Sequence, residues 1–311
     1  MKTRLAKILG SDHPLILGPM RLITLGEMAA VVSNAGAFGQ IAASGLSGER
    51  LREEIAKAKK LTERPFGLNI PIHRENAFEA LEIVIESEIR VITTSGGNPS
   101  KITEQAKQAG LKVLHKVSTT AMGLKARDAG VDAVIAMGFE AGGHGGRDQV
   151  TTFCLVPQLV DVLDIPVIAS GGIGDARGVV AALALGAEGV EMGTRFAATT
   201  ECPVPQYFKD SILAAGDRDT LVLGKDFMPL RVLRNQATES IADPDKAREE
   251  KAAGFHYLNP DGSADNSIMP AGQVAGLVRD IQSVSEMISR LFDEATKISE
   301  RLHALIKEGR Q

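Results

Sequence analysis

One histidine stands in a run of glycines: the stretch AMGFEAGGHGGRD, 136–148, sets His144 among Gly142, Gly143, Gly145 and Gly146. An imidazole titrates near neutrality and can move a proton to or from a substrate carbon. Backbone without side chains beside it leaves room for a large, flat group to stack closely on Gly142 and Gly143, with His144 over its reactive side. No HExxH or other metal-ligand spacing surrounds it, so proton transfer is the chemistry expected of His144, and no metal is expected. The lone histidines His13, His73, His256 and His303 read as surface residues.

Two more glycine stretches, ASGGIGD (169–175) and MGTRF (192–196), follow apolar runs. Gly171, Gly172 and Gly193 let a backbone approach a phosphate, and Ser170 and Thr194 add hydroxyls. There is no GxxxxGK[ST] loop, so the phosphate belongs to a cofactor rather than to a nucleoside triphosphate. Asn69 ends the run FGLN and offers a donor and an acceptor to a heteroaromatic edge. Lys116 ends a buried run and needs an anion or an electron-rich partner, such as a flavin N1–C2=O edge. His115 alternates outward and is structural.

Eight short apolar runs must carry these residues: 14–18, 37–43, 65–70, 89–94, 111–117, 131–137, 165–170 and 187–193. They are continuous rather than alternating, as burial on both faces of a parallel sheet demands. Helical patterns lie between them, several ending on glycine at Gly36, Gly110, Gly130 and Gly186. Eight strand–helix units predict a closed (β/α)8 TIM barrel, whose strand C-termini form the active face. The first strand ends in LGPM and not in GxGxxG, which argues against a doubly wound dinucleotide fold. The rhythm breaks at 209–271, a polar stretch with the charge run DPDKAREEK. It predicts a smaller helical or irregular insertion covering the active face, with 1–208 and 272–311 forming the barrel. A long amphipathic helix follows near 283–307.

Of 311 residues, 44% are hydrophobic and 24% charged, the balance of a globular chain with a large core. A net charge of −4 gives no reason to expect nucleic acid. The longest apolar runs fall short of a signal peptide or a membrane span, and the two cysteines form no CxxC, so a cytoplasmic setting is expected.

EAGGHGG, IASGGIGDARGVVAALALGAEGVEMGTRF, RPFGLNI and MKTRLAKILGSDHPLILGPM together resemble the 2-nitropropane dioxygenase-like flavoproteins over nearly the whole chain. That group includes nitronate monooxygenases, an NADH:quinone reductase and enoyl-[acyl-carrier-protein] reductase II. The resemblance implies an FMN-bound barrel with His144 as the catalytic residue. Asn69, Lys116, Gly142, Ser170, Gly172, Gly193 and Thr194 then match positions that contact FMN, with Gly18 and Met20 beside the ring. Met137 stands where relatives carry a polar residue. The pair at 115–116 resembles the monooxygenase and quinone-reductase branches, whereas IMPAGQVAGLV resembles the enoyl reductase branch. The activity expected first is oxidation of a nitronate or nitroalkane by O2. The alternative is reduction of an enoyl thioester with NAD(P)H, and a third is quinone reduction. A small-molecule substrate and a homodimer are the partners expected.

Overall fold

The computed structural model describes residues 2–225, 228–242 and 262–308. The charge run at 243–251 and His256 lie outside the described residues. The eight apolar runs become eight parallel strands: β1 (Leu15–Leu17), β2 (Gly39–Ala42), β3 (Phe66–Pro71), β4 (Val91–Ser95), β5 (Lys112–Val117), β6 (Ala133–Met137), β8 (Val167–Ser170) and β9 (Gly189–Met192). Their order is β1-β9-β8-β6-β5-β4-β3-β2. The parallel bridge Ile16–Phe38 joins the two ends, with Phe38 N–H donating to Leu15 O at 2.8 Å. The sheet is thus a nearly closed (β/α)8 barrel.

Alternation along the strands sorts the barrel interior into layers. The lower layer is apolar: Ile16, Phe38, Val91, Leu114, Ile135 and Ile168 pack with Leu5 and Leu9 of the N-terminal helix Arg4–Leu9. That helix plugs the bottom. Thr3 caps its start and Gly10, at φ 68°, ends it. Each large side chain so buried contributes roughly 1.5–3 kcal/mol. Two residues further up each strand comes a second layer of different chemistry: Gly18, Gln40, Asn69, Thr93, Lys116, Met137, Ser170 and Glu191. This mostly polar layer is the floor of the barrel mouth.

A second, larger core lies between strands and outer helices. Helices sit directly on the sheet where glycine permits it. A Cβ added at Gly39 would collide with the carbonyl oxygen of Ala29 in the helix Gly26–Asn34. Gly39→Ala is therefore expected to cost ~1–3 kcal/mol or more in urea unfolding, as overpacking does. An unchanged midpoint would refute this packing.

The stretch 209–271 is helical only in part. It holds an antiparallel hairpin, β10 (Thr220–Leu223) and β11 (Leu230–Leu233), then the helix Gln236–Ala242. The four-residue runs TLVL and LRVL are apolar enough to form strands, but charged neighbours mask them in any longer window. β11 also pairs with β7 (Gly143–His144), placing Leu230 opposite His144 and Arg231 opposite Gly143. Leu223, Val232 and Ile268 form a small core of their own beneath the hairpin. The long helix Val284–Glu308 follows; Asp280, just before it, pairs with the buried Arg195 at 2.9 Å and with Arg290 of the helix at 2.8 Å. Among the described residues no helix is long and apolar enough to cross a membrane.

Candidate active site

The glycine loop after β6 is asymmetric in its surroundings. A Cβ at Gly142 would come within 2.6 Å of the Ala271 and Gly272 backbone, and one at Gly146 would strike Ser118. At Gly143 and Gly145 a Cβ would meet nothing within 4 Å. Glycine at 142 therefore permits close packing of the returning chain. The middle of the loop is what opens on empty space.

The returning segment is clamped at this point. Gln273 N–H donates to Glu140 O at 3.0 Å, and Gly272 N–H donates to Thr194 Oγ1 at 2.9 Å. Glu140 in turn accepts from Thr152 N–H at 2.9 and 3.0 Å, setting its carboxylate at the start of the helix Thr152–Val162. From above, Arg231 donates to Phe139 O at 3.1 Å and lies over the Phe139 ring. Burial lowers its pKa from the usual guanidinium range, and Glu140 opposes that. So the histidine loop is held from one side by the hairpin and from the other by 271–273.

His144 itself is exposed by area. The walls of the mouth still screen its ring enough to push its pKa below the ordinary imidazole value, with Arg74 and His73 adding to the shift. Arg74 and His73 come from the loop after β3, so His73 belongs to the electrostatic surroundings of His144 rather than to a remote surface. His115, facing outward, bonds Thr94 Oγ1 through Nδ1 at 2.8 Å, and burial lowers its pKa to about 4. It is a structural histidine, as its place in the alternation implies.

The loops after β8 and β9 have the properties of an anion cradle. Gly171 and Gly172 take consecutive positive φ values, 90° and 73°. Among the described residues, the backbone N–H groups of Gly171, Gly172, Gly193 and Thr194 have no hydrogen-bond partner. A Cβ at Gly193 would project into open space. Thr194 Oγ1 accepts from Gly272, which leaves its own hydrogen free to donate. The Ser170 hydroxyl donates to Glu191 Oε1 at 2.8 Å.

The floor holds two polar groups. On one side Gln40 donates to Leu17 O at 2.6 Å, Thr93 donates to Gln40 at 2.6 Å, and Asn69 donates to Thr93 Oγ1 at 2.9 Å. This chain fixes the Asn69 amide. On the other, Lys116 Nζ lies 2.6 Å from Glu191 Oε1. β5 and β9 are not neighbours, so that contact crosses the barrel interior. Lys116 needs an anion, and the anion is Glu191, which its own sequence context, GVEMG, does not mark out. Gly18 N–H donates to Met192 O at 2.7 Å, which places it beside β9, and Met20 N–H donates to Thr24 Oγ1 at 3.0 Å in the turn that follows β1. Among the described residues no group of three or more His, Cys, Asp or Glu residues could hold a metal ion.

The chain is thus a nearly closed (β/α)8 barrel with a histidine on the loop after β6 and unpartnered backbone N–H groups after its last two strands. The family model for nitronate monooxygenase matches residues 2–294, and the chain belongs to that family, whose members are generally flavin enzymes. Among solved structures it is similar to FabK from Thermotoga maritima, with a TM-score of 0.93 and 36% identity over 98% of this chain and 99% of that one. Among curated relatives, a 5-hydroxy-7a-methyl-1-oxo-octahydro-1H-indene-4-carboxyl-CoA dehydrogenase of Rhodococcus jostii is 31% identical, over 98% of this chain and 99% of its own. A probable nitronate monooxygenase of Staphylococcus saprophyticus is 33% identical over 71% of this chain and 75% of its own.

Proposed function

We propose that this protein is an FMN-dependent oxidoreductase acting on the α,β carbons of an acyl thioester, as an NAD(P)H-dependent enoyl-thioester reductase. FMN fits the residues present. Unpartnered N–H groups at Gly171, Gly172, Gly193 and Thr194 suit its phosphate. Open space over Gly143 and Gly145 suits its ring system, with Asn69 and Lys116 below. Held there, FMN would supply two-electron hydride-transfer chemistry between a nicotinamide and an enoyl substrate. His144 then gives the proton to the α-carbon. The Gly143–His144 strand holds the imidazole in place, and Arg74 favours a negatively charged substrate close by.

The observation that carries the thioester reading is the clamp of 271–273 against Gly142 and Thr194. It builds IMPAGQVAGLV, the stretch that resembles the enoyl reductase branch, into the wall of the mouth. The CoA-thioester relative also spans nearly the whole chain, inserted segment included, while the nitronate monooxygenase relative matches 71% of it. A second reading, oxidation of a nitronate or neutral nitroalkane with O2, is favoured by the family match and by the lowered pKa of His144, which suits a neutral base. Anaerobic stopped-flow mixing separates the two. The thioester reading expects NADH or NADPH to bleach the bound flavin and an enoyl-CoA to restore its colour. Bleaching by propionate-3-nitronate with no response to either nicotinamide would reverse the order of the readings.

A further inference from the structure

Lys116 and Glu191 pair inside the barrel at 2.6 Å, and the Glu191 side chain is only 2% exposed. Ser170 donates to the same oxygen, Oε1, at 2.8 Å. The other oxygen, Oε2, is buried and has no hydrogen-bond partner. A bare buried carboxylate oxygen is costly, so it marks a place where a donor arrives with a ligand. By strand alternation the pair sits in the same inward-facing layer as Asn69, at the C-terminal ends of the strands.

We propose that Glu191 is a positioning residue that holds Lys116 under the flavin ring and cancels its charge, so that the bound flavin is harder to reduce than Lys116 alone would make it. This rests on the FMN reading above. Two-electron reduction puts negative charge on the pyrimidine edge of the ring. A lone ammonium group beneath that edge stabilises the charge, whereas an ammonium–carboxylate pair supplies almost no net field. The barrel interior is poor in water, so the difference between the two arrangements is screened little.

The test uses the flavin-loaded protein and reads its midpoint potential by anaerobic dye equilibration. Glu191→Gln keeps the shape and the bond to Ser170 but leaves Lys116 uncompensated. Its reduction constant is expected to rise at least tenfold, a shift of ~30 mV or more in the positive direction for a two-electron couple. Adding Lys116→Met to Glu191→Gln removes both charges and is expected to bring the potential back close to wild type. Glu191→Asp, which keeps the charge, is expected to stay there throughout. If Glu191→Gln does not retain flavin, Lys116→Gln reads the same balance and must lower the potential. A wild-type protein that takes up no FMN overturns this inference together with the flavin reading. A yellow Glu191→Gln protein with an unchanged or lower potential overturns this inference alone.

Discussion

His144→Ala is expected to lower kcat/KM for an enoyl thioester by about 10²–10⁴-fold, the usual contribution of a positioned acid or base, with flavin content unchanged. The variant removes an imidazole whose backbone the structure holds in ladder pairing with Leu230. No interaction of the phosphate cradle runs through its side chain, so the cofactor should stay. The pH profile carries a sign. Screening from water together with Arg74 and His73 holds the imidazole pKa below its ordinary value near 6.5. In thioester reduction the protonated form gives the proton, so kcat/KM is highest at low pH and falls as pH rises through that lowered pKa. In deprotonation of a nitroalkane the neutral form acts, and the profile rises through the same pKa to a plateau at neutrality. Wild-type profiles with each substrate give the slope, and His144→Ala must abolish it. A sloping profile that survives the substitution would assign the proton transfer to another group.

The second large effect is on cofactor affinity. Gly193→Val is expected to weaken FMN binding at least about 100-fold, near 2.7 kcal/mol, without weakening the fold. Gly193 has ordinary negative φ, −112°, so a side chain brings no backbone strain. Its Cβ would meet no protein atom within 4 Å and would occupy the space in front of the unpartnered N–H groups. Unfolding of the cofactor-free protein should therefore match wild type. Titration of that protein with FMN, followed by flavin fluorescence quenching, reads the affinity. Riboflavin, which lacks the phosphate, serves as the control and should bind both proteins alike. Equal loss for both ligands would move the phosphate away from these loops.

The barrel was legible because its strands are continuous apolar runs, each followed by a turn that glycine marks. The helix-ending glycines at 110 and 186 take the left-handed φ values expected of them, 77° and 95°. The runs read from sequence extend a residue or two past the strands, since apolar turn residues look the same as strand residues. His144, Asn69, Lys116, Gly171, Gly172 and Gly193 all lie at or just after the C-terminal ends of barrel strands. Glu191, Gln40 and Thr93 could not be picked out, because their significance lies in partners on strands that are distant in sequence. Gln40 and Thr93 matter only as the chain that fixes Asn69. A buried Lys116 calls for an acidic partner, and Glu191 meets that need from a strand distant in sequence. The hairpin was hidden for a similar reason. Its third strand is two residues long and exists only because β11 supplies the ladder. The packing at Gly142 was hidden too, since the backbone it accommodates, at 271–272, lies far along the chain.

The antiparallel ladder that fixes Gly143 and His144 has a period of two residues, so a slip of one position would turn the imidazole to the opposite face of the small sheet. The orientation of His144 is thus set by a ribbon some eighty residues further along the chain. Remodelling the 220–233 ribbon is therefore expected to re-aim the imidazole as well, even where no residue of the histidine loop is changed.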